Sequence, residues 1–142
     1  LAKWLHAPLA IIDKRRAKAN VSEVMNIIGD VAGKKAILID DMIDTAGTIC
    51  NAAVALKEAG ATEVYACATH AVFSEPAVDR LKESPFSEVI VTDSIELPED
   101  KKFDKLTILS TSKMFAEIIK RIYSNEAISD LFELPYDEDD IL

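Results

Sequence analysis

Two adjacent carboxylates follow an apolar run directly, and a short loop of small and hydroxyl-bearing residues comes after them. The run at residues 36–39 ends in Asp40 and Asp41, and the segment 44–48 carries a third acid, two threonines and a glycine. A pair of carboxylates can hold the vicinal hydroxyls of a ribose, because carboxylate oxygens are strong hydrogen-bond acceptors. Backbone N–H groups at a helix start favour an anion such as phosphate. The spacing therefore predicts a ribose-phosphate site.

The apolar run has the composition of a strand that is buried on both faces of a parallel sheet. Unpaired carboxylates are costly to bury, so Asp40 and Asp41 are expected at the carboxyl edge of the sheet, where such folds bind ligands. Two simpler interpretations stay open. The acidic pair can be a solvated strand end, and Thr45 or Thr48 can be a helix N-cap without a ligand.

A basic cluster is the second candidate for chemistry. Lys14, Arg15 and Arg16 follow a strand predicted at residues 9–13 and begin a polar loop predicted at 14–21. Three bases alone can be a solvated turn. Positioned Lys and Arg side chains also stabilise the negative charge that spreads over phosphate oxygens during phosphoryl transfer, and a mobile loop can exclude water from that reaction.

The elements that must position these residues alternate between strand and helix. Strands are predicted at 9–13, 22–28, 36–40, 63–69, 88–92 and 106–109, and helices at 45–59, 74–82 and 111–123. Gly60 is the expected stop of the first helix, and Ser74 is a candidate cap of the second. The alternation predicts an α/β fold, a parallel sheet with helices on both faces.

Composition limits the functional classes. The chain has 142 residues, 49% of them hydrophobic, and a formal net charge of −9, which argues against nucleic-acid and membrane-surface binding. Cys50 and Cys67 are interpreted as buried thiols, consistent with a reducing cytosol and a cytoplasmic location. No apolar run is long enough to cross a membrane. One domain is predicted at 1–134, followed by an acidic tail at 135–142.

Several segments resemble a known family. AILIDDMIDTAGTI, at residues 36–49, resembles the phosphoribosyl-pyrophosphate-binding motif of the type I phosphoribosyltransferase fold, and its IDDMIDTAGTI form resembles the ribose-phosphate pyrophosphokinases. APLAIIDKRR and NVSEVMNIIGDVAGKKAILIDDM are similar to further segments of these synthetases. So are ATHAVFSEPAVDRL, VIVTDSIELP and LTILSTSKMFAEIIKRI. The resemblance covers about residues 1–132 and implies a C-terminal domain whose first strand is absent.

The resemblance implies a reaction. These enzymes transfer pyrophosphate from ATP to C1 of ribose 5-phosphate in Mg²⁺, giving phosphoribosyl pyrophosphate and AMP. It implies that Lys14 and Arg16 are catalytic, that Arg16 also contacts the ribose phosphate, and that Asp40 and Asp41 bind the ribose hydroxyls. It assigns binding of the 5-phosphate to Asp44, Thr45, Ala46, Gly47 and Thr48.

The resemblance also implies partners: ATP, ribose 5-phosphate, phosphate and ADP as effectors, and copies of the chain in dimers that assemble to a hexamer. It implies no metal-ligand set inside this chain. Ala71 and Glu75 stand where the family commonly has glycine, and Glu75 adds negative charge near a region that binds anionic effectors in some members. Asp44 is hypothesised to act as a general base or to orient the 1-hydroxyl.

Two other functions remain open. A phosphoribosyltransferase, which consumes phosphoribosyl pyrophosphate, shares the acidic pair and the phosphate loop but usually lacks the DKRR block. A non-catalytic regulatory subunit of the synthetase tends to lose the catalytic lysine or the acidic pair. The presence of Lys14, Arg16, Asp40 and Asp41 favours a catalytic parent enzyme.

Overall fold

The computed structural model describes residues 2–3, 5–15 and 24–131. Arg16, the remainder of the predicted basic loop and the predicted acidic tail at 135–142 lie outside the described residues. The chain divides into two compact units, Leu1–Leu109 and Ser110–Leu142.

Six strands and three helices make up the described chain. The strands are β1 (Ile11–Arg15), β2 (Val24–Ile28), β3 (Lys35–Ile43), β4 (Glu63–Ala71), β5 (Glu88–Thr92) and β6 (Leu106–Leu109). The helices are α1 (Gly47–Glu58), α2 (Ala77–Glu83) and α3 (Ser112–Tyr123). Short 3₁₀ turns lie at Glu99–Lys101 and Ser129–Leu131.

The first unit is built on a four-stranded parallel sheet in the order β3-β4-β5-β6. The predicted α/β class, a parallel sheet flanked by helices, is confirmed, and β5 and β6 begin and end where the sequence predicted. The prediction that the motif strand ends at Asp40 is wrong. Parallel pairing continues through Met42↔His70 and Ile43↔Ala71, so β3 does not end at the acidic pair.

A separate antiparallel ribbon precedes this sheet. Strand β1 pairs with β2 in the register Asp13↔Asn26, Lys14↔Met25 and Arg15↔Val24. The predicted loop at 14–21 is therefore wrong at its first two positions, because Lys14 and Arg15 belong to the strand. An antiparallel ribbon tolerates polar residues, since one of its faces can meet water.

The core of the first unit lies on one face of the parallel sheet. Right-handed crossovers between neighbouring strands place successive helices on the same face, and alternate strand residues are buried accordingly. These are Val64, Ala66, Ala68, Val89 and Val91. The opposite alternates are not buried: Ile37 is 51% exposed and Ile39 is 57% exposed. The expectation that β3 is buried on both faces is thus wrong within the described residues of this unit.

Helix α1 ends as the sequence predicts. The N–H of Gly60 donates to Lys57 O, and the N–H of Ala61 donates to Leu56 O, which is the hydrogen-bond pattern of a Schellman motif. Gly60 has a φ of 95°, a left-handed conformation that glycine adopts at little cost. Helix α2 begins later than predicted, since its N-cap is Pro76 and not Ser74.

Helix α3, in the second unit, confirms the predicted helix at 111–123 to within one residue. Its apolar stripe includes Phe115, Ile119 and Ile122, each more than half exposed. An ion pair between Arg121 and Glu117, four residues apart, supports its polar side. None of the helices in the described part of the chain is long and apolar enough to cross a membrane.

Candidate functional site

The acidic pair lies near the carboxyl end of β3. Asp40 and Asp41 are both exposed, and the backbone N–H of Asp41 donates to Asp40 Oδ1 at 2.9 Å. Successive residues of a strand project to opposite faces, so the two carboxylates diverge from one another. Asp40 lines a pocket of about 370 Å³, and Asp41 is not among the lining residues of that pocket.

The pocket joins the motif to the antiparallel ribbon. Its walls are formed by β1 and the residue before it, by the middle of β3 and by the first half of α1, and its lining residues are Ala10, Ile11, Ile12, Leu38, Ile39, Asp40, Thr48, Ile49 and Ala52. Two predicted site residues, Asp40 and Thr48, therefore share one pocket. One wall of the pocket is formed by β1, the strand that contains Lys14.

The loop between β3 and α1 turns sharply at Ala46. This residue has φ 60° and ψ 2°, the left-handed conformation, and is 5% exposed. It is the N-cap of α1, and its carbonyl accepts the N–H of Cys50 at 3.1 Å. Neither Thr45 nor Thr48 is the N-cap, so that simpler interpretation of the threonines is wrong.

The start of α1 has the properties of an anion site. In the described structure, no side chain makes a capping hydrogen bond at this end, and the first turn contains no acid. The first N–H groups of a helix lack intrahelical partners and carry the positive end of the helix dipole. Residues 44–48 can therefore receive a phosphate with backbone donors.

Arg80 joins the loop to α2, and the sequence interpretation missed it. Its Nη1 donates to the carbonyl of Thr45 at 2.9 Å. Helix α2 lies close to α1, where the Cys50 thiol donates to Arg80 O at 3.6 Å. Because Arg80 and Thr45 are 35 residues apart in the chain, no local spacing in the sequence signals this contact.

A polar cluster lies at the carboxyl ends of β4 and β5. His70 Nδ1 lies 2.9 Å from Ser94 Oγ, and both Ser94 Oγ and Thr92 Oγ1 donate to Thr69 O, at 2.9 and 2.7 Å. His70 is the register partner of Met42 on β3, so the cluster shares the sheet edge with the acidic pair. His70 thus has a hydrogen-bond partner at this end of the sheet.

The two cysteines are free and half-buried rather than fully buried. Burial is the main cause that raises the pKa of the Cys50 thiol, and it also raises the pKa of Cys67. A raised pKa lowers the thiolate fraction, so neither thiol is activated as a nucleophile. Among the described residues, no group of three His, Cys, Asp or Glu side chains could hold a metal ion.

Comparison with known proteins assigns the chain to a family. The profile of the phosphoribosyl synthetase-associated domain matches residues 9–133. The chain belongs to this family. The match includes β1, the acidic pair, the loop before α1 and all three helices.

Two curated relatives of this synthetase-associated domain have the same name. The chain is 64% identical over 131 residues to "Ribose-phosphate pyrophosphokinase" of Caldanaerobacter subterraneus subsp. tengcongensis, covering 92% of the chain and 42% of the relative. It is 60% identical over 133 residues to the protein of that name from Bacillus caldolyticus, covering 94% and 42%. The chain thus spans about two-fifths of the length of these relatives.

A solved structure resembles the domain as well. The phosphoribosylpyrophosphate synthetase from Mycobacterium smegmatis matches it with a TM-score of 0.79 and 44% sequence identity. The match covers 87% of this chain and 41% of that chain.

The structure of the domain brings together part of the predicted site. Asp40 and Thr48 share a pocket, and the loop that contains Asp44 lies between them in the chain. The backbone of Lys14 extends from the pocket wall, and Arg16 lies outside the described residues. Arg80 is the additional residue that the structure attaches to the loop.

Proposed function

We propose that this chain is the ribose 5-phosphate-binding part of a ribose-phosphate pyrophosphokinase, which transfers pyrophosphate from ATP to C1 of ribose 5-phosphate. The observation that carries the proposal is the start of α1, which lacks a side-chain cap and is joined by a short loop to β3, the strand that carries the acidic pair. The chain is also 64% identical over 131 residues to a protein of that name. The chain corresponds to the C-terminal part of the enzyme and has the type I phosphoribosyltransferase fold. The order of its motifs and its parallel sheet support this assignment.

Ribose 5-phosphate would bind with its phosphate at the start of α1. The backbone N–H groups of the loop 44–48 donate to phosphate oxygens, and the threonine hydroxyls of this loop add further donors. Asp40, which lines the pocket with Thr48, accepts hydrogen bonds from the ribose hydroxyls, and Asp41, which projects from the other face of β3, would reach them from the opposite side of the sheet edge. Asp44 is exposed beside them and orients the 1-hydroxyl or accepts its proton as that oxygen attacks the β-phosphorus of ATP, releasing AMP.

Lys14 and Arg16 supply positive charge to the transferring group. Strand β1 forms a wall of the Asp40 pocket and leads directly into these residues. Negative charge spreads over the β-phosphorus oxygens as the P–O bond to AMP breaks, and nearby cationic side chains stabilise that state more than the ground state. Arg16 would also hold the ribose phosphate.

Magnesium fits the carboxylates of this chain incompletely. Oxygen ligands such as those of Asp40 and Asp41 suit Mg²⁺, yet the described residues contain no group of three potential ligands. The other ligands would be phosphate oxygens of the substrates and water, as is usual for Mg²⁺. When bound, the ion offsets phosphate charge.

The same assignment extends to assembly and regulation. The intact enzyme would be cytoplasmic and would form dimers that assemble to a hexamer, with phosphate and ADP as candidate effectors. The exposed apolar residues of α3, such as Phe115 and Ile119, are of the kind that subunit contacts cover. Glu75 is exposed, and its negative charge would weaken the binding of an anionic effector beside it.

The first test has two arms. In one, this chain is titrated with ribose 5-phosphate and, separately, with ribose, and binding is followed by the backbone amide signals of residues 44–48. In the other, the longer protein that carries this sequence is assayed for AMP formation from ATP, Mg²⁺ and ribose 5-phosphate. Lys14→Ala should reduce AMP formation by at least about a hundredfold, the usual effect of removing a group that stabilises the transition state.

Controls separate this effect from loss of fold. Lys34→Ala removes an exposed lysine whose partner is Asp30, and it should leave AMP formation within about twofold of wild type. A folded long protein that forms no AMP would contradict the synthetase assignment. Release of pyrophosphate from phosphoribosyl pyrophosphate and a base would then identify a transferase. Absence of both activities would identify a regulatory subunit.

A further inference from the structure

The loop before α1 holds a conformation that needs support from its surroundings. Ala46 has a φ of 60°, in the left-handed region that favours glycine. Non-glycine residues stay in this region when neighbouring contacts fix them there. The conformation sets the direction in which the following N–H groups of Gly47 and Thr48 point, so whatever fixes Ala46 also aims the proposed phosphate donors.

Arg80 is hydrogen-bonded to one side of that turn and lies close to the other side. Its Nη1 donates to the carbonyl of Thr45, the residue before Ala46, at 2.9 Å. On the other side, a methyl group added to Gly47, the residue after Ala46, would lie 3.2 Å from the same nitrogen and 3.8 Å from Cζ of Arg80. The guanidinium therefore lies beside the residues on both sides of Ala46.

The backbone of Arg80 is itself fixed. Its N–H donates to Pro76 O and its carbonyl accepts the N–H of Ser84, both contacts of helix α2. The adjacent Leu81 is completely buried in the core. The guanidinium thus starts from a rigid helix, which limits the positions that it can take.

The positive charge of Arg80 gives its contact with Thr45 a second effect. Asp40, Asp41 and Asp44 place three acids within five positions of the chain, which opposes the approach of an anion. A guanidinium hydrogen-bonded to the loop adds positive charge beside the same backbone. Arg80 thereby favours phosphate binding at a loop that is otherwise acidic.

We infer that Arg80 is a positioning residue for the phosphate loop, which holds Thr45 and Ala46 in the conformation that presents the Gly47 and Thr48 N–H groups to phosphate. The inference rests on the proposed function for the identity of the ligand. The contact that it depends on belongs to the ligand-free chain, so it can be tested separately.

The test compares Arg80→Ala, Arg80→Lys and wild type by ¹H–¹⁵N spectra, first without ligand and then with ribose 5-phosphate. In Arg80→Ala, the amide signals of residues 45–48 should move and exchange faster with solvent in the ligand-free state. The Kd for ribose 5-phosphate should rise about three- to tenfold, the effect of one hydrogen bond. Arg80→Lys keeps the charge and one donor and should lie between the two.

Lys82→Ala is the matched control, since it removes an exposed base from the same helix. It should leave the signals of residues 45–48 unchanged. An unchanged ligand-free spectrum in Arg80→Ala would overturn the inference, and a loss of affinity without that change would mean that Arg80 contacts the ligand directly. If wild type fails to bind ribose 5-phosphate while the ligand-free signals respond as expected, the proposed function fails and the positioning role stands.

A double-mutant cycle tests the contact itself. In the wild-type chain, the methyl group added by Gly47→Ala crowds the Arg80 guanidinium, which offsets the stability that alanine gains over glycine in a helix. Apart from its chain neighbours and its own helix backbone, no other group lies within 4 Å of that methyl group among the described residues, so in the Arg80→Ala background the same change should be more favourable. Thermal unfolding of the four ligand-free proteins measures this coupling. If Gly47→Ala changed the thermal stability of both backgrounds equally, the contact between Arg80 and the loop would be ruled out.

Discussion

At the scale of single residues, the candidate site depends on one backbone conformation. Ala46 is buried and left-handed, a combination that excludes most side chains. A larger residue would meet the core of the unit, and a β-branched residue would clash with its own backbone at this φ. The small residue in the motif is therefore required by geometry, in addition to any role in binding.

Replacing Ala46 tests this requirement. Ala46→Val should lower the free energy of unfolding by about 1–3 kcal/mol, because it adds backbone strain to crowding. Ala46→Gly should be close to neutral, within about 1 kcal/mol, since relief of strain offsets the lost methyl burial and the greater entropy of the unfolded chain. Urea unfolding provides the measurement. Ala59→Val, at an ordinary φ of −76°, is the control, and equal losses at the two positions would contradict the role of the left-handed turn.

At the scale of elements, three polar side chains connect β3 and β4 at their amino ends. Lys35 is the register partner of Glu63, and its Nζ lies 2.9 Å from Glu63 Oε1. The hydroxyl of Tyr65 donates to the other oxygen of that carboxylate. The Tyr65 hydrogen bond first, and the Lys35 hydrogen bond second, hold the pKa of Glu63 below its ordinary value.

A lowered carboxyl pKa predicts how stability depends on pH. The contribution of Glu63 is fully present above the pKa of the unfolded chain and is lost as the pH falls through the lower pKa of the folded chain. Glu63→Gln should therefore reduce the urea midpoint at pH 7 and have progressively less effect below about pH 4. Tyr65→Phe removes the main cause, so Glu63→Gln should cost less in that background. A difference between Glu63→Gln and wild type that stays constant with pH would rule out this linkage.

At the scale of the whole molecule, the first unit is stabilised mainly by apolar burial against one face of its sheet. Phe73, Leu81, Val64 and Val89 are at most 1% exposed, and α2 contributes Leu81 from beside the loop that precedes α1. Because Arg80 is next to Leu81, the packing that stabilises the unit also fixes the base of the guanidinium that reaches Thr45. Stability and site geometry are therefore linked through α2.

Leu81→Ala should lower the free energy of unfolding by about 2–5 kcal/mol, since it removes a fully buried side chain and leaves a cavity. Leu109→Ala is the matched control: Leu109 is 54% exposed, and its replacement should cost less than about 1 kcal/mol. Chemical unfolding followed by circular dichroism measures both. Similar losses for the two variants would contradict the one-sided core.

The sequence by itself determined the α/β class, the strands β5 and β6, helix α3 and the motif that carries Asp40 and Thr48. Periodicity and turn residues encode these features locally, because the spacing of apolar residues within an element and the turn residues at its ends involve only near neighbours in the chain. The tertiary structure decided the rest. The length of β3 depends on pairing with β4, the strand conformation at Lys14 depends on β2, and the exposure of Ile37 depends on which face the helices cover. The Arg80–Thr45 contact depends on how α1 packs against α2, a geometry that no spacing over 35 residues can encode.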